Sequence, residues 1–328
     1  MRKEHLKYLC CPITKESLRL SISKEDENNE VLEGKLISSA YEYPIIKGIP
    51  RFVFKEKKLT EKTVKSFGYQ WKLSKKISLN YGIDDDYFNA FFSPLDPNEF
   101  INKIVLDAGC GNGRLIEYSL KFSPELIVGV DYSEAIELAY ERTKLLDNVL
   151  LIQADITKLP IKESFFDYIY SLGVIHHILE PKKAINSLRR TVKKDGNINF
   201  WVYSKEGNKI YLFFYKIISF FTKKINDYFK WILSLIISVF IYPYMKVCVL
   251  LSKISEKNFL PLQEYMKFIS GLGFKILRLV IYDQLIPQIA YYPTKEELLN
   301  WVDFDDLKIS HLDMRTNNSW RIGLRKIK

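Results

Sequence analysis

The chain of 328 residues is poor in residues that build cross-links and metal cages. It holds four cysteines (Cys10, Cys11, Cys110 and Cys248) and four histidines. The cysteines show no paired spacing, which argues against a disulfide framework and fits a reducing compartment. The opening residues, MRKEHLKYLCCPITK, contain no apolar h-region, so no signal peptide is expected. No internal repeat is visible. Acidic side chains are in deficit: 49 Lys and Arg against 39 Asp and Glu leave a net charge of +10. That balance suits an anionic partner, whether nucleic acid, lipid surface or acidic metabolite. Outside residues 208–252, however, no dense basic patch interleaved with stacking aromatics stands out, which disfavours nucleic acid.

What is present divides the chain into five stretches. Residues 1–55 read as a small β unit, and 56–98 as a helical connector. Residues 99–204 carry the strand-like runs KIVLDAG, LIVGVDYS, VLLIQAD, FDYIYSLG and NINFWVY, with helix-like segments between them. Residues 205–275 are aromatic and helical in pattern. Residues 276–328 complete the sheet, with FKILRLVIYD, LKISHLDM and SWRIGLRKI read as strands and TKEELLNWV as a helix. The alternation predicts an α/β fold with a Rossmann-like, doubly wound, mostly parallel seven-stranded sheet.

Three strands end in Asp107, Asp131 and Asp155, roughly 24 residues apart. Ligands of such sheets bind at the carboxyl ends of the strands, where these acids lie. Gly109-Cys110-Gly111-Asn112-Gly113 departs from the dinucleotide pattern G-x-G-x-x-G, because Arg114 stands where the third glycine would fall. A carboxylate at Asp107 would repel a pyrophosphate. It would attract the ammonium and sulfonium of S-adenosylmethionine, while the turn's amides meet that ligand's carboxylate. Asp131, beside Tyr132, can take two ribose hydroxyls. Asp155 can accept from an adenine amino group, with Ile156 giving an amide and an apolar wall. Ser171 completes the candidate cofactor set.

Together VLDAGCGNGR, GVDYS, QADITKLP and FDYIYSLGVIHHI resemble the successive motifs of class I S-adenosylmethionine-dependent methyltransferases. SFGYQW, VYSKEGN, YDQLIPQIAYYPTKEELLNW and NNSWR are similar to a bacterial subgroup with an N-terminal zinc-ribbon-like extension. The resemblance implies methyl transfer from S-adenosylmethionine to a small molecule or glycan. Of the ribbon's four ligand positions only Cys11 keeps a thiol. Thr14, Leu36 and Ser39 occupy the others, so no zinc is predicted.

His176 and His177 follow the fourth core strand and are the candidate general bases for a hydroxyl acceptor. The null alternative is packing or helix capping. Gln70, Trp71, Tyr203, Asp283, Tyr291, Asn318, Trp320 and Arg321 are candidate acceptor-binding residues, Arg321 as a clamp for an anion. Each could equally be a surface or hinge residue.

Residues 208–252 stay open at this level. Lys209, Lys216, Lys223 and Lys230 recur every seven residues and would share one narrow face of a single helix. The insert can be a lid, a membrane-interface element or a membrane span. The corresponding location is cytoplasmic, or peripheral to the inner face of the plasma membrane. A lipid-linked acceptor or quinone, an RNA acceptor, and a non-catalytic binding module remain as alternatives. Oligomeric state is not legible.

Overall fold

The computed structural model describes residues 1–53, 65–66, 68–70, 91–94, 96–222, 224–255, 257–271, 273–287 and 289–328. Trp71 and most of the connector lie outside them.

Five parallel strands form the centre: β5 (Ile104–Ala108), β6 (Leu126–Asp131), β7 (Val149–Ala154), β8 (Phe166–Leu172) and β9 (Val192–Tyr203). Residues of β5 are buried without alternation, as expected of a strand covered on both faces. β10 (Leu307–Arg315) and β11 (Ser319–Lys326) form a hairpin, and β11 pairs antiparallel with β9. The seven strands run in the order β7-β6-β5-β8-β9-β11-β10. The chain leaves β5 toward β6 on one side and returns to β8 on the other. The crevice for a ligand therefore opens between the ends of β5 and β8.

The sheet is larger than the expected seven strands. β1 (Arg19–Glu25), β2 (Val31–Ile37), β3 (Glu42–Ile46) and β4 (Ile49–Phe52) form an antiparallel meander. Its last strand joins β7 in parallel register, Arg51 opposite Gln153 and Phe52 opposite Ala154. One sheet of 11 strands results.

Helices α1 (Arg114–Ser119) and α2 (Ile136–Thr143) cover one face, and α3 (Pro181–Thr191) and α8 (Lys295–Val302) the other. In α3 the buried Pro181, Ala184, Ile185 and Leu188 fall at helical spacing, and Pro181 opens the first turn.

The remaining helices make a cap: α4 (Lys209–Thr222), α5 (Asp227–Ile254), α6 (Gln263–Ser270) and α7 (Gly273–Leu285). The helix α7 corrects the strand expected at FKILRLVIYD. That run is rich in β-branched residues, but Leu277, Ile281 and Leu285 recur at helical spacing. Leu277 and Ile281 pack into a cluster with Met245, Cys248, Met266 and Ile269. Tertiary packing overrides the strand propensity. The lysine stripe is corrected too. The helix breaks after Thr222, and Lys230 turns inward to pair with Asp227 at 3.0 Å.

The N-terminal unit, expected to be ribbon-like, is held without a thiolate cage. Cys11 Sγ lies 3.1 Å from the Tyr43 hydroxyl and accepts from the Thr14 amide at 3.4 Å. Burial raises the Cys11 thiol, but hydrogen bonds from Thr14 and Tyr43 outweigh it and bring the value to about 7. Leu36 is core, and the Ser39 hydroxyl donates to Glu16 at 2.7 Å. No cluster of three metal-ligating side chains occurs among the described residues.

Candidate donor and acceptor sites

The glycine turn leaves β5 with Gly109 at φ 91°, Gly111 at 53° and Gly113 at 78°. A Cβ on Gly109 would stand 2.3 Å from a Val174 methyl carbon, so two constraints, space and dihedral, require glycine there. That close approach seats the turn 174–178, which carries both histidines, directly against the glycine turn.

Asp107 is 1% exposed, and its Oδ2 has no hydrogen-bond partner. Burial pushes its carboxyl well above the ordinary range; a Tyr170 hydrogen bond opposes this and the Asp131 charge adds to it. A buried carboxyl with an orphaned oxygen beside three left-handed glycines suits a cationic ligand. Asp131 Oδ2 accepts from the Gly111 amide at 2.8 Å, and Oδ1 from the Ser133 amide at 2.8 Å and hydroxyl at 2.6 Å. Oδ1 is saturated by its two donors, and Oδ2 keeps one lone pair for a ribose hydroxyl. Gln153 Nε2 donates to the Tyr132 carbonyl at 3.0 Å and fixes this loop. Asp155 Oδ1 accepts from the Thr157 amide at 2.8 Å, and Ile156 is buried beside it. Ser171 is fully buried and donates to the Ala108 carbonyl at 2.7 Å, so it braces the end of β5. These residues fit S-adenosylmethionine.

The acceptor candidates divide. His176 is fully buried, and neither ring nitrogen has a hydrogen-bond partner. His177 Nδ1 lies 2.9 Å from the Ile289 carbonyl. Burial drives His176 well below 6.5, helped by the nearby His177, and takes His177 to about 4. Around His176 stand His177, Tyr203 and Trp201, with centroid distances of 4.2, 4.5 and 6.0 Å. Tyr292 stacks on Tyr203 at 5.2 Å, and Gln284 donates to the Tyr203 hydroxyl at 2.5 Å while accepting from Tyr211 at 2.8 Å. Gln70 reaches from the connector to donate to Asp283 at 3.0 Å. Burial lifts the Asp283 carboxyl to about 6. Burial first, and then the Asp283 charge, push the Tyr203 phenol up. Gln70, Tyr203 and Asp283 therefore lie in one buried aromatic cluster. Gln284, Tyr211 and Tyr292 belong to it and were missed by sequence reasoning; the tyrosines of 203–215 signal Tyr211, and the segment YDQLIPQIAYYPTKEELLNW carries the other two.

The others serve elsewhere. The Tyr291 amide donates to the His176 carbonyl at 2.8 Å and its hydroxyl to Leu179 at 3.1 Å, which holds the histidine turn. The Asn318 carbonyl accepts from the Ser204 amide and the Asn208 side chain. Trp320 is buried, with Nε1 3.4 Å from the Pro293 carbonyl. Arg321 pairs with Asp313 across the terminal hairpin.

Residues 106–200 match the methyltransferase-domain family. A tRNA U34 carboxymethyltransferase of Campylobacter lari is 31% identical over 155 residues, covering 44% of this chain and 52% of the relative. The enzyme of the same name from Campylobacter jejuni subsp. jejuni (strain 81-176) is 34% identical over 112 residues, 32% of this chain and 38% of the relative. The chain thus spans about half or less of the length of these relatives. A solved SAM-dependent methyltransferase from Aquifex aeolicus aligns over 77% of this chain and 97% of its own, with 15% identity and a TM-score of 0.42.

Proposed function

We propose that this chain, whose core is a class I S-adenosylmethionine-dependent methyltransferase domain, moves a methyl group to a hydroxyl of a small molecule or glycan held at the aromatic cluster. The observation that carries the proposal is convergence. Gln70, Tyr203 and Asp283, far apart in sequence, meet beside the histidine turn that packs on Gly109. Bound at the strand ends, the donor supplies an electrophilic methyl on sulfur, whose bonding pair stays with the leaving sulfide.

Asp107 and Asp131 hold the donor's ammonium side and ribose. The rings of the cluster exclude water and align the acceptor, which is largely a proximity effect. His176 offers the acceptor hydroxyl the hydrogen-bond partner that its own ring lacks. The departing proton needs a group matched to neutral pH. Burial moves both imidazoles below that range, whereas the Asp283 carboxyl at about 6 is close to it. Asp283 therefore receives the proton, and Gln70 positions it.

A second reading rests on the names of the Campylobacter relatives, which support an RNA acceptor and weigh against setting nucleic acid aside. One experiment addresses both. Purified chain is incubated with methyl-labelled S-adenosylmethionine and, separately, a small-molecule and glycan extract or total tRNA. Label in the extract supports the first reading, and nuclease-sensitive label in tRNA the second. Calorimetry that detects no donor binding sinks both.

A further inference from the structure

Helices α4 and α5 are built inside out. The side of α5 facing the protein carries Lys230, Ser234, Ser238, Met245 and Cys248, all buried. Lys230 pairs there with Asp227, which also accepts from the Ser66 hydroxyl at 3.0 Å. Arg278 lies 3.6 Å above the Trp231 ring and donates to the Trp231 carbonyl at 2.9 Å. The opposite side presents Ile232, Leu235, Ile236, Val239, Phe240, Val247 and Leu250 to the outside, with Phe240 at 75% exposure. Helix α4 exposes Ile210, Phe213, Phe214, Ile217, Phe220 and Phe221 as well, all at least half exposed. A lid that buried its apolar stripe would show the reverse pattern. Apolar exposure of this extent on two successive helices marks an interaction surface.

Charge identifies the occupant. Among the described residues the exposed cations on the two helices and their link are Lys209, Lys216, Lys224, Lys246 and Lys253. Asp227 is the one acid between residues 208 and 254, and it is paired. A second copy seated on this face would bring lysines against lysines. Anionic lipid headgroups meet the lysines while the rings and aliphatic chains enter the acyl boundary. The element lies on the bilayer rather than across it. Helix α5 is long and apolar enough to cross a membrane by length and composition, but its uncharged run 231–245 rises about 22 Å before Lys246, short of the roughly 30 Å hydrocarbon core. One side of α5 also stays packed along α6 and α7.

We propose that α4 and α5 form a monotopic docking surface for an anionic membrane. Tyr211 and Tyr215, on the inner side of α4, reach Tyr292 in the aromatic cluster, so the docking element and the cluster share one helix.

The test is flotation of the full-length chain with vesicles of phosphatidylcholine alone or mixed with phosphatidylglycerol. Enrichment with the mixed vesicles by about tenfold or more, reduced by high salt, is expected. The variant F213S/F220S/F240S changes only exposed side chains. It should lose flotation while keeping its melting temperature and its S-adenosylmethionine affinity. Donor titration separates this proposal from the methyl-transfer reading, because vesicle binding requires no donor. Wild-type chain that floats with neither vesicle overturns the proposal. So does a concentration-dependent dimer that the triple variant abolishes, which would make a second copy the occupant.

Discussion

The His176 ring rests against Tyr203 with centroids 4.5 Å apart, and both of its nitrogens lack a hydrogen-bond partner. An orphaned imidazole buried among aromatic rings costs free energy unless a ligand completes it. His176→Asn should lower kcat about a hundredfold by misaligning the acceptor, with donor affinity unchanged. Unchanged kcat in steady-state kinetics would remove His176 from the acceptor site.

Asp283 sets the pH dependence. Its carboxyl must be ionised to receive a proton, and burial places it at about 6. The rate should therefore rise with pH through about 6 and level off above it. Asp283→Asn should depress the plateau and erase the inflection. An inflection that survives in the variant would assign the proton to another group.

Asp107 links donor binding to protons. Burial raises its carboxyl, and a bound cation would lower it again. Donor binding should release a proton below the raised value, so affinity climbs with pH. Calorimetry in buffers of different ionisation enthalpy reads the proton directly. Asp107→Asn should abolish that release. Asp131→Ala should weaken the donor by about 1.5–3 kcal/mol through the lost charged hydrogen bonds.

Gly109 separates clash from dihedral strain. Gly109→Ala meets Val174 and holds an unfavourable φ, so a loss of about 1–3 kcal/mol in thermal stability is expected. Adding Val174→Gly removes all three close Val174 carbons and recovers only part of it, because the left-handed φ of 91° remains. Full recovery in the double variant would show that space alone is limiting.

The strand ends were legible because Asp107, Asp131 and Asp155 recur with the βαβ pitch and because the glycine turn admits few residue types. The aromatic cluster proposed for the acceptor was half legible. Gln70, Tyr203 and Asp283 could be suspected singly, but no local signal shows that α7 brings Asp283 and Gln284 back beside β9. The misreading of 274–283 has the same origin: Leu277 turns inward only because α5 lies alongside. The docking of β4 on β7 left no trace either, since parallel pairing rests on backbone groups that every sequence carries.

That last pairing bears on how the chain can be cut. Removing residues 1–53 would strip the cover from β7, baring unpaired amides and carbonyls along Gln153 and Ala154 and losing the Arg51 hydrogen bond to Gln153 at 2.6 Å. Such naked strands recruit other chains. A core cut in this way is expected to self-associate, and the meander β1–β4 serves as the cover of that edge.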